Sequence, residues 1–160
     1  MAYALIIDDY EPFLDSFLRL AASEGLVVAR ASSWEEGLAR FEALWPQVVI
    51  ADYNLPGSKH GLQLLLQIKS LWPAVKVILL SGVLTQADLV AVEGLGLVDA
   101  ALPKTMDGLG AALAAVREAK ERHGGPVNWR SAGQAHAATR RISPEKLEEL
   151  DRRLSARTSP

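Results

Sequence analysis

With 160 residues, 49% of them hydrophobic, the chain has the length and apolar content for one domain of ordinary size with its own core plus an appendage, which excludes a wholly disordered protein. Cysteine is absent, so a disulfide framework, a thiolate metal site and a cysteine nucleophile are excluded, and a reducing compartment suits the sequence. The net charge of −2 conceals an asymmetry, because residues 1–116 carry 7 Lys and Arg against 13 Asp and Glu while residues 117–160 carry 10 against 6. A basic tail is compatible with nucleic acid or an acidic partner, and equally with ordinary solvated helix faces.

The amino terminus has no basic leader, and its apolar run ends after a few residues in Asp8-Asp9. That predicts neither a signal peptide nor a membrane span, and hence a cytoplasmic protein. Ala4–Ile7 is the first of five short, continuous apolar stretches; the others are Leu26–Ala31, Val48–Ala51, Val75–Leu80 and Ala100–Leu102. Such runs are expected of strands buried on both faces. Helical spacing lies between them, at Phe13, Phe17, Leu20 and Ala21, then at Leu38, Phe41 and Leu44, then at Leu62, Leu65, Ile68 and Leu71.

Leu44-Trp45-Pro46 and Leu71-Trp72-Pro73 form a partial repeat. Each proline is expected to stop a helix just before a strand, because it disfavours the α conformation in the preceding residue, and the tryptophans are expected to pack at the helix ends. Gly94-Leu95-Gly96 follows a helix and lacks the third glycine of a dinucleotide fingerprint, so it reads as a helix stop followed by a turn. A last helix is predicted from about Gly108 to Arg122, after which His123-Gly124-Gly125-Pro126 breaks the chain.

Strand and helix alternate five times, which predicts an α/β fold with a doubly wound parallel sheet, right-handed crossovers and helices on both faces. Residues 1–122 form the predicted domain. Residues 123–160 read as a linker and one short amphipathic helix, with Ser143 as N-cap, Pro144 at its first position and Leu147, Leu150 and Leu154 as its apolar stripe. That helix is too short to fold alone and is expected to dock on the body or a partner.

In an open parallel sheet, ligands bind beyond the carboxyl ends of the strands. Strand one ends in Asp8-Asp9, strand three in Asp52-Tyr53-Asn54, strand four in Ser81-Gly82 and strand five in Pro103-Lys104. Three neighbouring carboxylates repel one another unless a cation neutralises them. Mg²⁺, which prefers a few carboxylates, water and a substrate phosphate, is the natural ion. Asp52 is then a candidate carboxylate nucleophile toward phosphorus, with Ser81 and Lys104 stabilising the equatorial oxygens. His60, His123 and His136 are scattered singly, and no Gly-rich phosphate loop is present.

An Asp pair after strand one, a lone Asp after strand three, Ser after strand four and Lys after strand five resemble the signature of response-regulator receiver domains. The resemblance covers residues 1 to about 122 and implies a flavodoxin-like sheet of order 2-1-3-4-5. It implies that Asp8 and Asp9 bind Mg²⁺, with Asp9 ligating it directly, and that the backbone carbonyl of Asn54 completes the metal site with Asp52. It further implies that a sensor histidine kinase or phosphotransfer protein phosphorylates Asp52, that the Ser81 hydroxyl swings toward the phosphoryl oxygens, and that Lys104 pairs with them. The output expected is a change of protein contacts through the face of helix four, strand five and helix five. No enzymatic turnover is expected beyond self-phosphorylation from a donor and slow self-dephosphorylation.

Two positions depart from the family pattern. Ala101 stands where a rotating Tyr or Phe is common, and Pro103 precedes Lys104, with Thr105 after it, where the family favours proline after the lysine. Three rival readings follow. Haloacid-dehalogenase-type phosphatases also use an Asp nucleophile and Mg²⁺, but their second acid serves as general acid, and Asn54 occupies that position here. A receiver that binds partners without phosphorylation is encouraged by Ala101. The receiver fragment of a DNA-binding regulator is the third, although residues 123–160 cannot form a helix-turn-helix domain with its own core. DNA binding is therefore not supported within the chain, and protein contacts, including a homodimer with the tail docked, are the expected mode of action.

Overall fold

The computed structural model describes residues 4–57, 59–123 and 152. The predicted linker after His123, the Ser143-Pro144 helix start and the Leu147, Leu150, Leu154 stripe lie outside the described residues. The elements alternate as β1 (Ala4–Ile7), α1 (Glu11–Ser23), β2 (Val28–Ala31), α2 (Trp34–Leu44), β3 (Val48–Asp52), α3 (Gly61–Leu71), β4 (Lys76–Ser81), α4 (Gln86–Gly94), β5 (Ala100–Pro103) and α5 (Met106–His123). The five strands form one parallel sheet in the order β2-β1-β3-β4-β5, the doubly wound topology expected from the alternation. Among the described residues, no helix is long and apolar enough to cross a membrane.

Residue parity along each strand sorts the side chains into two cores, as the twofold period of a strand requires. Leu5, Ile7, Val49, Ala51, Val77, Leu79 and Ala101 face α2, α3 and α4. Ala4, Ile6, Val48, Ile50, Ile78 and Leu80 face α1 and α5, where Leu14, Phe17, Leu113 and Val116 meet them. β2 starts at Val28, two residues later than the apolar run suggests. Leu26 is buried in the second core while Val27 is about half exposed, so this segment feeds the edge strand and does not pair.

Local chemistry sets the helix starts. Ser33 Oγ accepts the Glu36 N–H at 3.1 Å to begin α2. His60 Nδ1 accepts the Gln63 N–H at 3.3 Å while Gln63 Oε1 accepts the His60 N–H at 3.1 Å, closing a capping box at α3. Thr85 and Asp88 close an equivalent box at α4. α4 ends at Gly94, and Gly96 takes a φ of 70°, so Gly94-Leu95-Gly96 is a helix stop and turn.

α2 and α3 end at the paired tryptophans. Trp45 caps α2 in the left-handed region, φ 49° and ψ 56°, with Pro46 next, an uncommon conformation for a bulky residue. Its ring packs edge-on against Phe41 at 5.5 Å and Trp72 at 5.3 Å, and Phe41 and Trp72 lie 4.8 Å apart. Two helix stops distant in sequence thus form one aromatic cluster that binds α2 to α3. Phe41 is fully buried at its centre. Phe41→Ala is expected to lose about 3–5 kcal/mol of unfolding free energy, measured by urea titration, and a loss below about 1 kcal/mol would contradict this account of the cluster.

Candidate functional site

Strand register gathers the candidate residues at one edge of the sheet. Ile7 pairs with Ala51, which places Asp8 beside Asp52, and Asp52 pairs with Leu80 and Leu80 with Leu102, two residues before Lys104. Parity puts Asp8, Asp52 and Lys104 on the same side, continuing the row of Ile6, Ile50 and Leu102 above α1 and α5. Ser81 has the opposite parity and follows Leu79 toward α4.

Asp8 and Asp52 are almost wholly buried, and Asp9 is exposed at the rim. Carboxylate oxygens of all three lie within 4.8 Å of one another. The Lys104 ammonium stands among them, 2.5 Å from Asp8 Oδ2 and 3.5 Å from Asp52 Oδ2. Asp8 Oδ1 accepts the Tyr10 N–H at 2.8 Å, a local turn that leads into α1. Apart from the ion pair with Lys104, no hydrogen-bond donor among the described residues is directed at the buried Asp8 Oδ2.

These placements set the electrostatics. Burial first, and then the charge of Asp8, push the Asp52 carboxyl up to about 6, against the opposing pull of Lys104. Burial acts to lower the Lys104 ammonium, but its contacts with Asp8 and Asp52 outweigh burial and hold it above its ordinary value. Two aromatic rings close the remaining side: the ammonium lies 4.6 Å from the Phe13 ring centre and 5.9 Å from that of Tyr10.

The other predicted residues sit on the same edge in different roles. Ser81 Oγ accepts the N–H groups of Val83 at 3.2 Å and Leu84 at 3.0 Å. Its own O–H donates to no described group, and its side chain is bonded to neither Asp52 nor Lys104; the Lys104 backbone N–H donates to the Ser81 carbonyl at 2.9 Å. Asn54 is exposed on the loop after β3, and its carbonyl takes no backbone hydrogen bond among the described residues. Thr105 caps the start of α5, its Oγ1 accepting the Gly108 N–H at 3.2 Å. Ala101 is buried, and its N–H donates to Glu93 Oε2 at 3.2 Å, which ties α4 to β5.

Two glycines that composition does not single out fix the helix approach. A Cβ at Gly61 or Gly108 would lie 1.8 Å from the carbonyl oxygen of Asp52 or Pro103 respectively. Only glycine therefore lets α3 and α5 start against the strand ends that carry Asp52 and Lys104. For Gly61 the sequence signal was a glycine opening the helix that follows the acid-bearing strand β3, whereas Gly108, the third residue of α5, carried no such signal.

An open parallel α/β sheet that gathers buried acids and a lysine at its carboxyl edge has them where doubly wound domains bind their ligands. The family model for the response regulator receiver domain matches residues 4–108, and the chain belongs to that family. Similar solved structures include a CheY-like receiver domain protein from Methanospirillum hungatei JF-1, 28% identical with a TM-score of 0.63 over 76% of this chain and 98% of that one. A receiver domain protein from Clostridium thermocellum is 30% identical, with a TM-score of 0.63 and the same coverage, 76% and 98%. The receiver domain of NtrX from Brucella abortus is 25% identical, with a TM-score of 0.62 over 74% of this chain and 98% of that one. Among curated protein sequences, none matches.

The raised Asp52 carboxyl carries a stability consequence. The folded chain holds this proton more tightly than the unfolded one, so the group contributes stability below its ordinary value of 3.8, and that contribution is lost as pH rises through about 6. With chelator present, Asp52→Asn is expected to stabilise the protein at pH 7.5 by about 1–3 kcal/mol. The gain should shrink toward zero as pH falls below about 4. Urea midpoints across this range provide the check, and a destabilised Asp52→Asn at pH 7.5 would contradict it.

Proposed function

We propose that this receiver domain accepts a phosphoryl group on Asp52 from a histidine kinase or phosphotransfer protein in the cytoplasm and so switches its protein contacts. The observation that carries this reading is the cluster of Asp8, Asp9 and Asp52 carboxylates within 4.8 Å, with the Lys104 ammonium in the same pocket.

The donor set fits a hard divalent cation, since a buried Asp8 oxygen has no directed hydrogen bond and burial and Asp8 together raise Asp52. Asp8, Asp9, Asp52 and the Asn54 carbonyl would hold Mg²⁺, which supplies positive charge that neutralises the acids and receives an anionic donor. One Asp52 oxygen attacks phosphorus, an O–P bond forms, and the bond from phosphorus to the donor breaks with its electron pair leaving on the donor. Lys104 then turns from the carboxylates to the equatorial oxygens, and the Ser81 O–H has a proton to donate there.

Asn54 has no proton of suitable acidity, so hydrolysis of the aspartyl phosphate is slow and no general phosphatase activity is expected. For output, Val90, Leu95 and Met106 present exposed apolar side chains on or beside α4 and at the start of α5, a surface suited to protein contact, with a partner or with a second copy. A second reading, a receiver that binds partners without phosphorylation, is favoured by Ala101, whose small side chain cannot change rotamer as an aromatic would.

With Mg²⁺ and a small phosphodonor, intact-mass measurement should show one added phosphoryl group on the wild type and none on Asp52→Ala. Equal labelling of the two would remove the assignment. At limiting Mg²⁺ the labelling rate should fall as pH drops through about 6, because Asp52 becomes protonated, and saturating Mg²⁺ should shift that fall to lower pH. Amide exchange around residues 83–104 that does not respond to Mg²⁺ and beryllofluoride would favour the second reading.

A further inference from the structure

Lys104 has partners of two kinds. Asp8 and Asp52 are charged, and both belong to the cluster whose charge changes when a cation or a phosphoryl group arrives. The ring of Phe13 is neutral and does not change. Its face lies 4.6 Å from the Lys104 ammonium, whose side chain is only 17% exposed, and removal from water strengthens attraction between a cation and a ring face.

The ring is also held in place. Phe13 is half-buried and stacks on Phe17, one helical turn on, with centres 6.5 Å apart and planes 30° apart, and Phe17 is fully buried in the core shared by α1 and α5. Strand parity directs Lys104 to that same side of the sheet. Tyr10, farther at 5.9 Å and 60% exposed, has no comparable support.

We propose that Phe13 is a positioning residue for phosphoryl transfer, its ring face keeping the Lys104 ammonium over the pocket when Asp8 and Asp52 are neutralised. This rests on Asp52 being the phosphoacceptor. A residue that merely fills space there would be replaceable by any apolar side chain of similar size, whereas a ring face acting on a cation would not.

The full chain should be compared with Phe13→Leu, Phe13→Tyr and a protein carrying pentafluorophenylalanine at position 13, which keeps the ring but reverses the charge of its face. The Lys104 ε-methylene protons should be shifted upfield by ring current in the wild type and in Phe13→Tyr, with or without Mg²⁺, and should lose that shift in Phe13→Leu. The initial labelling rate from a small phosphodonor should fall about three- to tenfold in Phe13→Leu and in the fluorinated protein, and recover in Phe13→Tyr. Wild-type labelling by the fluorinated protein, or an unchanged Lys104 shift in Phe13→Leu, would overturn the proposal. A wild type that takes no label would instead remove the phosphoacceptor reading, and the Lys104 shifts would then decide the Phe13 contact by themselves.

Discussion

Two acids from neighbouring strands, Asp8 and Asp52, are buried side by side with Asp9 at the rim, and one ammonium stands between them. Like charges in a site shielded from water raise one another's protonation, and a single lysine offsets only part of that repulsion. The raised Asp52 carboxyl is the residue of the imbalance. Strand register forces the two carboxylates together, and the surrounding apolar cores keep them there. The pocket is therefore under electrostatic load that a bound cation would relieve, an arrangement costly in a purely structural element.

The scaffold is built to hold that load at one edge. Capping residues begin α2, α3 and α4 beside the strand ends, and Gly61 and Gly108 allow α3 and α5 to begin in contact with the carbonyls of Asp52 and Pro103. At the ends of α2 and α3, the Phe41, Trp45 and Trp72 cluster joins the two helices. Stability is thus concentrated in apolar packing away from the acids, so the charged edge can respond without carrying the fold.

Much of this was legible in the amino-acid sequence because doubly buried strands leave continuous apolar runs and parallel topology follows from their alternation with helices. The identities of Asp8, Asp9, Asp52, Ser81 and Lys104 were readable from their positions just after those runs. Proximities across the fold were not. Phe13 has the spacing of an ordinary core residue of α1, and only the packing of α1 beside the end of β5 brings its ring to Lys104. Gly61 looks like any helix-start glycine until the carbonyl of Asp52 is placed against it. Leu26 and Val27 extend an apolar run, yet one enters the core and the other faces solvent, because pairing at the sheet edge begins only at Val28.

Parity also explains how a group on Asp52 would be sensed on both sides of one sheet. Lys104 approaches from the α1 and α5 side, while Ser81 points toward α4 and there accepts the N–H groups of Val83 and Leu84. A phosphoryl oxygen that drew the Ser81 hydroxyl toward Asp52 would compete with its hold on the loop leading into α4. α4 in turn is joined to β5 by Glu93 and the Ala101 N–H. A route from Asp52 to the exposed apolar side chains Val90 and Leu95 would therefore run through side-chain-to-backbone hydrogen bonds at Ser81 and Glu93, and it would not require an aromatic side chain at residue 101. With only a small side chain at Ala101, a phosphoryl group on Asp52 would have to be read through the loop and helix that Ser81 anchors rather than through a rotating ring.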